Sequence, residues 1–505
     1  MPVASVYTAQ PTVHGGIPVV IEADLSRGLH SFAIVGLPGK AVEEAKDRVS
    51  AAIKNSGFPS PKSKNQKIVI SLAPADIKKE GPLFDLAIAI AYLLAAEAIK
   101  EDGVKRMYVG ELGLDGLLRK VHGVLSIVQA AKEEGVSEVI VPKENAAEAA
   151  LVEGIAIFSA SSLIDVVRHV DVRREDHQKL VPEPLTYIEP TWAEGLVRLE
   201  DVKGQESAKR GLLIAAAGRH NVIMVGPPGT GKTMLARAFQ GMLPPLSREE
   251  ALEVTRIHSV AGSLGSGVSS QPPFRAPHHT ASHTSLVGGG THPKPGEVTL
   301  AHKGVLFVDE FPEFDRRSID ALRQPLEDRV VSISRVQGTA LFPADFILIA
   351  AMNPYRGSED GTTDFAQATL DTYKGKISGP ILDRIDLWLE VAHVDYDTLT
   401  NTQADNAETE NARMQIEKAR KLQQQRLEKR GVSTNAEMSA RDIDETIDLS
   451  EEVKAILKQS AQRLNLSPRS YHRVIKVSRT IADLEGENDI EPRHVFEALQ
   501  YRVKL

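Results

Sequence analysis

Gly226-Pro227-Pro228-Gly229-Thr230-Gly231-Lys232-Thr233 is the stretch that decides how the middle of this chain folds. The apolar run Val222-Ile223-Met224-Val225 stands before it as a short strand, and Met234-Leu235-Ala236-Arg237-Ala238-Phe239 follows with helical spacing. A strand, a Gly-rich loop and a helix in that order make a phosphate-binding loop. Its glycines let backbone N–H groups close on phosphate oxygens, helped by the positive end of the new helix. All eight residues are therefore nucleotide-contact candidates: Gly226, Pro227, Pro228, Gly229, Thr230, Gly231, Lys232 and Thr233. Lys232 is expected to reach the β- and γ-phosphates and Thr233 to ligate Mg²⁺. A plain Gly/Pro turn would explain the glycines and prolines but not the Lys-Thr pair.

Downstream, Val305-Leu306-Phe307-Val308 reads as a buried strand that ends in Asp309-Glu310. This puts a carboxylate pair at the C-terminal edge of a parallel sheet, where ligands bind. Asp309 suits the Mg²⁺ shell, and Glu310 can orient and polarise the attacking water. A third strand, Phe346-Ile347-Leu348-Ile349-Ala350, delivers Asn353 to the same edge, where its amide can hold water near the γ-phosphate. Phosphoryl transfer also needs positive charge against its transition state, often an arginine from a neighbour. Ser378-Gly379-Pro380-Ile381-Leu382-Asp383-Arg384 offers Arg384, although by itself this residue reads first as a salt-bridge partner of Asp383 or Asp386. Arg469, in Leu466-Ser467-Pro468-Arg469 at the start of a C-terminal helix, is a further candidate, with Arg473 one turn later.

At 505 residues the chain is too long for one core, so about three domains are expected. Hydrophobic residues make up 42% and charged residues 25%. No apolar run is long enough to span a bilayer and no basic-then-apolar leader is visible, which leads to the expectation of a cytoplasmic protein without membrane contact. The absence of cysteine excludes disulfides, thiolate nucleophiles and Cys-based zinc sites. A net charge of −8 argues against coating the whole surface with nucleic acid, so any DNA contact must be local.

The expected fold class is α/β in a multidomain chain. Residues 1–175 alternate short β-rich runs with helical patterns and form one α/β domain, and 176–195, with Pro182, Pro184 and Pro190, reads as a linker. The nucleotide-binding α/β core runs over 196–395. Residues 396–505 form a helical domain, with helices over about 405–429, 451–464, 469–484 and 491–501.

These motifs, in this order, resemble the AAA+ ATPases, and more closely the magnesium-chelatase-like branch known as the YifB or ComM family. The matching words include Asp201-Val202-Lys203-Gly204-Gln205, Arg275-Ala276-Pro277-His278-His279-Thr280, Gly288-Gly289-Gly290, Pro295-Gly296-Glu297, Ala301-His302-Lys303-Gly304 and Ile377-Ser378-Gly379-Pro380. Ile34-Val35-Gly36-Leu37-Pro38 and Arg479-Thr480-Ile481-Ala482-Asp483-Leu484 extend the likeness over nearly the whole chain. The resemblance implies ATP and Mg²⁺ as cofactors and a ring of copies, hexameric in the family. It implies Asn353 as sensor 1, Arg384 as an arginine finger acting on a neighbour and Arg469 as sensor 2. ComM-like members act on DNA as branch-migration helicases in recombination of incoming DNA, so branched or single-stranded DNA, bound without sequence preference, is the expected partner. The alternative is a chaperone-like remodeller on the pattern of the chelatase motor subunit, which is not expected to carry the N-terminal domain. Many relatives have a Cys-rich stretch after the sensor Asn, where this chain has Tyr355-Arg356-Gly357-Ser358.

The substrate would touch a local basic region. From 256 to 303 there are four Lys/Arg, six His and a single acid, Glu297, which makes Arg275, His278 and His279 candidates for nucleic acid. His278, His279 and His283 could instead be proposed as zinc ligands, but no Cys or carboxylate stands at suitable spacing. Residues 330–342 alternate as a hairpin with Arg335 near its tip; this is either a surface hairpin or the pore hairpin of the AAA+ branch. A ring would repeat each positive loop around its pore and grip phosphates.

The words Leu72-Ala73-Pro74-Ala75-Asp76, Lys79-Glu80-Gly81-Pro82 and Val141-Pro142-Lys143-Glu144-Asn145 look like the proteolytic domain of Lon-type proteases. In that family a Ser follows the Gly-Pro and is activated by a later Lys. Here Leu83 follows, and Gly123-Val124-Leu125-Ser126-Ile127 lacks the lysine, so a catalytically dead relative is expected.

Overall fold

The computed structural model describes residues 3–193, 197–265, 267–290, 294–335, 338–353, 377–394 and 407–502. Packing divides the chain into two units, Met1–Glu189 with Ala251–Ser269, and Pro190–Glu250 with Ser270–Leu505.

The first unit is built on seven strands: β1 (Ala4–Thr12), β2 (Gly15–Arg27), β3 (Ser31–Val35), β4 (Gln66–Ala73), β5 (Arg106–Tyr108), β6 (Glu138–Pro142) and β7 (Ala156–Ala160). Alternation drives the first of these: in β2, Val19, Ile21, Ala23 and Leu25 are buried while Glu22, Asp24 and Ser26 face out. The strand order is β3-β4-β2-β1-β5-β6-β7, and β5, β6 and β7 pair in parallel. Two helices, Asp85–Ala95 and Val124–Glu133, pack on β1 and β2. Asp85 starts the first helix fully buried, accepting from Arg48 Nε at 2.8 Å and Nη2 at 3.0 Å. Burial pushes its carboxyl up to about 6 against the pull of Arg48.

Two expectations need correction here. Residues 176–189 are no free linker: Glu183 N–H donates to Ile157 O at 2.8 Å and Thr186 N–H to Ala150 O at 2.9 Å, so the proline-rich strip lies along this unit. Ala251–Ser269, expected inside the nucleotide-binding core, also belongs to the first unit. Ser259 shows why. Its hydroxyl accepts the Gly123 N–H at 2.8 Å and donates to the buried Glu148 carboxylate, which also accepts the Leu125 N–H at 2.9 Å. Buried polar groups must be paired, so this network seats the segment.

The second unit carries an all-parallel five-stranded sheet of β8 (Val222–Val225), β9 (Phe274–Arg275), β10 (Val305–Val308), β11 (Ile347–Met352) and β12 (Leu387–Glu390), in the order β9-β10-β11-β8-β12. Every residue of β8, β10 and β11 is buried, as expected for central strands covered on both faces. Helices Glu408–Leu427, Glu451–Arg463, Pro468–Glu485 and Pro492–Gln500 occupy the C-terminal part. Ser450 and Ser467 cap two of them, accepting the N–H groups of Val453 and Ser470.

The expected boundary at 395/396 is not a break in packing. Ile416, Val474 and Ile481 of the C-terminal helices share one apolar core with Met224, Phe307, Ile349 and Leu389 of the sheet. Residues 330–335 and 338–343 form the antiparallel hairpin expected from their alternation. The side chain of Arg335 and the stretch Tyr355-Arg356-Gly357-Ser358 lie outside the described residues.

Gly226 closes the sheet at the loop. A Cβ there would meet the Val391 carbonyl oxygen at 2.1 Å and its carbon at 3.0 Å, both of them backbone atoms. Gly226→Ala is expected to cost about 1–3 kcal/mol. A lowered midpoint in nucleotide-free thermal unfolding checks it, and an unchanged midpoint contradicts it.

Candidate functional site

The phosphate-binding loop leaves β8 and ends where the helix Lys232–Met242 begins. Gly229 and Gly231 adopt φ of +81° and +90°, a region open to glycine at little cost. Nothing lies within 4 Å of where a Cβ would stand on either, so the loop faces open space. It borders a cleft of about 370 Å³ that is also lined by Met234, Asp309, Glu310 and Asn353.

Lys232 is 8% exposed, and its ammonium donates to Gly226 O and Pro227 O, each at 2.7 Å, and to Asn353 Oδ1 at 3.0 Å. Burial lowers its pKa, and Asp309 works against that shift. Thr233 Oγ1 donates to Asp309 Oδ2 at 3.3 Å, while Asp309 Oδ1 accepts the Glu310 N–H at 2.9 Å. A hydroxyl and a carboxylate so placed are hard oxygen donors of the kind Mg²⁺ takes, and the open glycine loop beside a lysine fits a polyphosphate. Glu310 stands at φ +50°, a left-handed conformation uncommon for a non-glycine residue and frequent at functional sites. His279 Nδ1 lies 3.1 Å from Glu310 Oε2.

The structure thus brings Lys232, Thr233, Asp309, Glu310 and Asn353 to one cleft, each delivered by the C-terminal end of a parallel strand. Arg384 and Arg469 are elsewhere in the same unit. They line a second cavity, about 640 Å³, together with Arg219, Glu327, Arg473 and Lys476. Glu327 joins the two arginines: one carboxylate oxygen accepts from Arg384 Nη2 and the other from Arg469 Nη2 at 2.7 Å. Among the described residues the ion-pair partner of Arg384 is therefore Glu327 and not a neighbouring aspartate, and Asp386 pairs with Arg473 at 3.3 Å. Arg384 is 6% exposed, and its Nε has no hydrogen-bond partner among the described residues. Burial, reinforced by Arg469, Arg323 and Arg473, pushes its pKa down. The cavity therefore holds more positive charge than its carboxylates balance locally.

Two further findings revise the basic region. Arg275 is committed to Glu297, donating from Nε at 2.6 Å and Nη2 at 2.8 Å, so the single acid of the region neutralises one of its few fixed cations. His278 and His279 pack ring to ring with centroids 4.1 Å apart. Glu327 was not legible as a site residue, because nothing in Arg323-Gln324-Pro325-Leu326-Glu327-Asp328 distinguishes it from an exposed helix carboxylate. No helix among the described residues is long and apolar enough to cross a membrane.

Comparison with known proteins places these features in a family. Residues 198–399 match the family described as magnesium chelatase, subunit ChlI. Residues 21–145 match subunit ChlI of Mg-chelatase, and 406–502 match the C-terminal family of the same subunit. The chain is 43% identical over 496 residues to competence protein ComM of Haemophilus influenzae, covering 96% of this chain and 95% of that protein. It is 41% identical over 509 residues to the uncharacterized protein YifB of Salmonella typhimurium, covering 99% and 97%. The magnesium-chelatase 67 kDa subunit of Chlorobaculum tepidum is 26% identical over 166 residues, covering 32% of this chain and 24% of that one. With an all-parallel nucleotide-type sheet, a glycine loop and a carboxylate pair on one edge, and identity above 40% along almost its whole length, the chain belongs to the YifB/ComM family of magnesium-chelatase-like AAA+ proteins.

Proposed function

We propose that the protein hydrolyses ATP in the cleft between Gly226–Thr233 and Asp309–Glu310, and that a ring of copies uses this hydrolysis to move along or remodel DNA. The observation that carries the ATPase reading is the meeting of Lys232, Thr233, Asp309, Glu310 and Asn353 in one cleft. The loop glycines and Lys232 bind the phosphates. Thr233 and Asp309 would hold Mg²⁺, which would supply charge neutralisation for the phosphate oxygens. Glu310 takes up the proton of the attacking water, and Asn353 orients that water. Arg384 and Arg469 line a cavity apart from the cleft, which fits a role on the nucleotide of a neighbouring copy in a hexameric ring. The first unit, with Leu83 and Ser126 where a Lon-type protease would carry its nucleophile and lysine segment, serves assembly or binding without proteolysis. Ser126 Oγ is spent on Thr12 O at 2.9 Å.

DNA as the load is supported by the His-rich insert and by the near full-length likeness to a competence protein. The second reading, remodelling of a protein partner, is favoured by the chelatase descriptions of all three matching families. Because the N-terminal match also carries a chelatase description, that domain does not discriminate between them. One assay does: branched or single-stranded DNA should stimulate ATP hydrolysis, and no stimulation by any DNA selects the protein remodeller. Arg335→Ala should then weaken DNA binding and flatten its dependence on salt by about one phosphate contact. Unchanged affinity and slope remove Arg335 from the interface.

A further inference from the structure

We propose that the first unit holds the DNA backbone at one end of its sheet, where Arg27, His30, Lys64 and Lys67 stand on the β2–β3 turn and the entry to β4. The inference rests on the DNA reading above and is independent of how ATP is cleaved.

In a chain of net charge −8, a polyanion needs a local group of cations that no carboxylate already holds. Arg275 fails that condition because Glu297 takes both of its donors. The first unit meets it. Arg27, Lys64 and Lys67 are exposed, and among the described residues their side chains have no ion-pair or hydrogen-bond partner. Lys62, close by in sequence, is the exception, with its ammonium 2.8 Å from Asp47 Oδ1.

The sheet sets these residues side by side. β4 lies between β2 and β3, antiparallel to the first and parallel to the second. Its register puts Lys67 between Ser26 and Ser31, and Gln66 opposite Arg27. Side chains alternate along a strand, so Lys67 lies on the face opposite the buried Ile68 and Ile70 and shares that face with the exposed Ser26 and Ser31. The two connecting segments are tied to each other: Gly28 N–H donates to Asn65 O at 3.4 Å. Gln66 N–H donates to Lys64 O at 2.9 Å, and Gln66 Nε2 to the Tyr92 hydroxyl at 2.8 Å. Ser60 Oγ accepts the Lys62 N–H at 3.3 Å and shapes the turn before them. The backbone that carries the cations is thus set before a ligand arrives.

The chemistry fits phosphate oxygens. Arg27, Lys64 and Lys67 supply charge, while the Ser26 and Ser31 hydroxyls and the exposed His30 imidazole supply neutral donors. Such contacts read no base edge, so the site takes DNA without sequence preference. On the same face of β2, Asp24 and Glu22 follow about 7 and 13 Å further along the strand. The sign of the surface changes there, which confines the site to the end of the sheet.

The test measures binding of the full-length protein to a labelled single-stranded oligonucleotide over a range of salt. Lys64→Ala combined with Lys67→Ala removes two phosphate contacts and is expected to flatten the slope of log affinity against log salt by about 1.4. Its deficit against wild type is then about sevenfold larger at about 50 mM than at about 200 mM salt. Arg27→Gln alone is expected to flatten the slope by about 0.7, and Lys64→Arg with Lys67→Arg to restore it. ATP hydrolysis without DNA stays at the wild-type rate, because neither lysine lines the cleft around Lys232. Any stimulation by DNA reaches the same plateau at higher DNA concentration. An unchanged thermal midpoint verifies folding, and if the double variant fails this control Arg27→Gln decides. Wild-type affinity and slope in the folded variants overturn the site. Intact DNA binding with lost binding to phosphatidylserine vesicles overturns it in favour of a lipid surface. If the wild type itself binds no DNA, the DNA reading has failed and this site with it, a result that the wild-type measurement tells apart from the others.

Discussion

Glu310→Gln is expected to bind ATP and assemble as the unmodified protein does, and to hydrolyse ATP about 10²–10⁴-fold more slowly. The substitution keeps the size of the side chain and its left-handed backbone position but removes the oxygen that accepts a proton. The groups proposed to bind phosphate are untouched, since Lys232 contacts Gly226, Pro227 and Asn353, and Thr233 contacts Asp309. Binding and turnover therefore separate. Single-turnover hydrolysis measured beside nucleotide affinity checks this, and near wild-type turnover would mean that the wrong carboxylate has been named. Loss of both binding and turnover would mean that Glu310 holds the loop together, which its exposure at the cleft argues against.

Arg384→Ala is expected to lower hydrolysis by about 10³–10⁵-fold, the range associated with an arginine placed against a phosphoryl transition state. The decisive form of the experiment mixes two silent proteins. Subunits lacking Arg384 retain an intact cleft, and subunits lacking Lys232 retain an intact arginine pair. If Arg384 acts on a neighbour, the mixture contains interfaces with both halves and regains activity; if it acts within its own chain, the mixture stays silent. The geometry favours the first result, because Arg384 lines a cavity with Glu327, Arg469 and Arg473 and not the cleft around Lys232. The same cavity explains how a guanidinium can be kept ready. Glu327 neutralises part of the charge and fixes Arg384 and Arg469 on one carboxylate, while Arg384 Nε stays unpaired among the described residues. An unpaired buried donor is costly, and a phosphoryl oxygen brought by a neighbouring copy would satisfy it.

Local chemistry makes most of the cleft legible in the sequence alone. The glycines, Lys232 and Thr233 lie within eight residues, and a phosphate site of this type needs them in that order on a strand-loop-helix. Asp309, Glu310 and Asn353 are legible for a related reason: each follows a buried apolar run, and parallel strands put such positions on a common edge. The helices over 408–427 and 468–485 follow from their spacing and from the Ser-Pro start at Ser467-Pro468. What escapes is whatever depends on partners distant in sequence. Arg275 looks like a free cation until the fold sets it against Glu297, and Glu327 looks ordinary until two arginines come to it from 57 and 142 residues away. Ser259 looks like part of a Gly/Ser-rich insert, and its network with Glu148 and Gly123 seats it in the first unit.

By itself, then, the sequence determined the family, the α/β class and the set of residues that meet in the cleft beside Lys232, because periodicity and short motifs are encoded in neighbouring residues. Tertiary structure decided which charges remain available. It spent Arg275 on Glu297, paired Arg384 with Arg469 through Glu327, set His279 against Glu310, and merged the C-terminal helices with the sheet into one core. The physical reason is that a charge or an apolar face acquires its role only from what folding brings within a few ångströms of it, and that distance is not written in sequence separation.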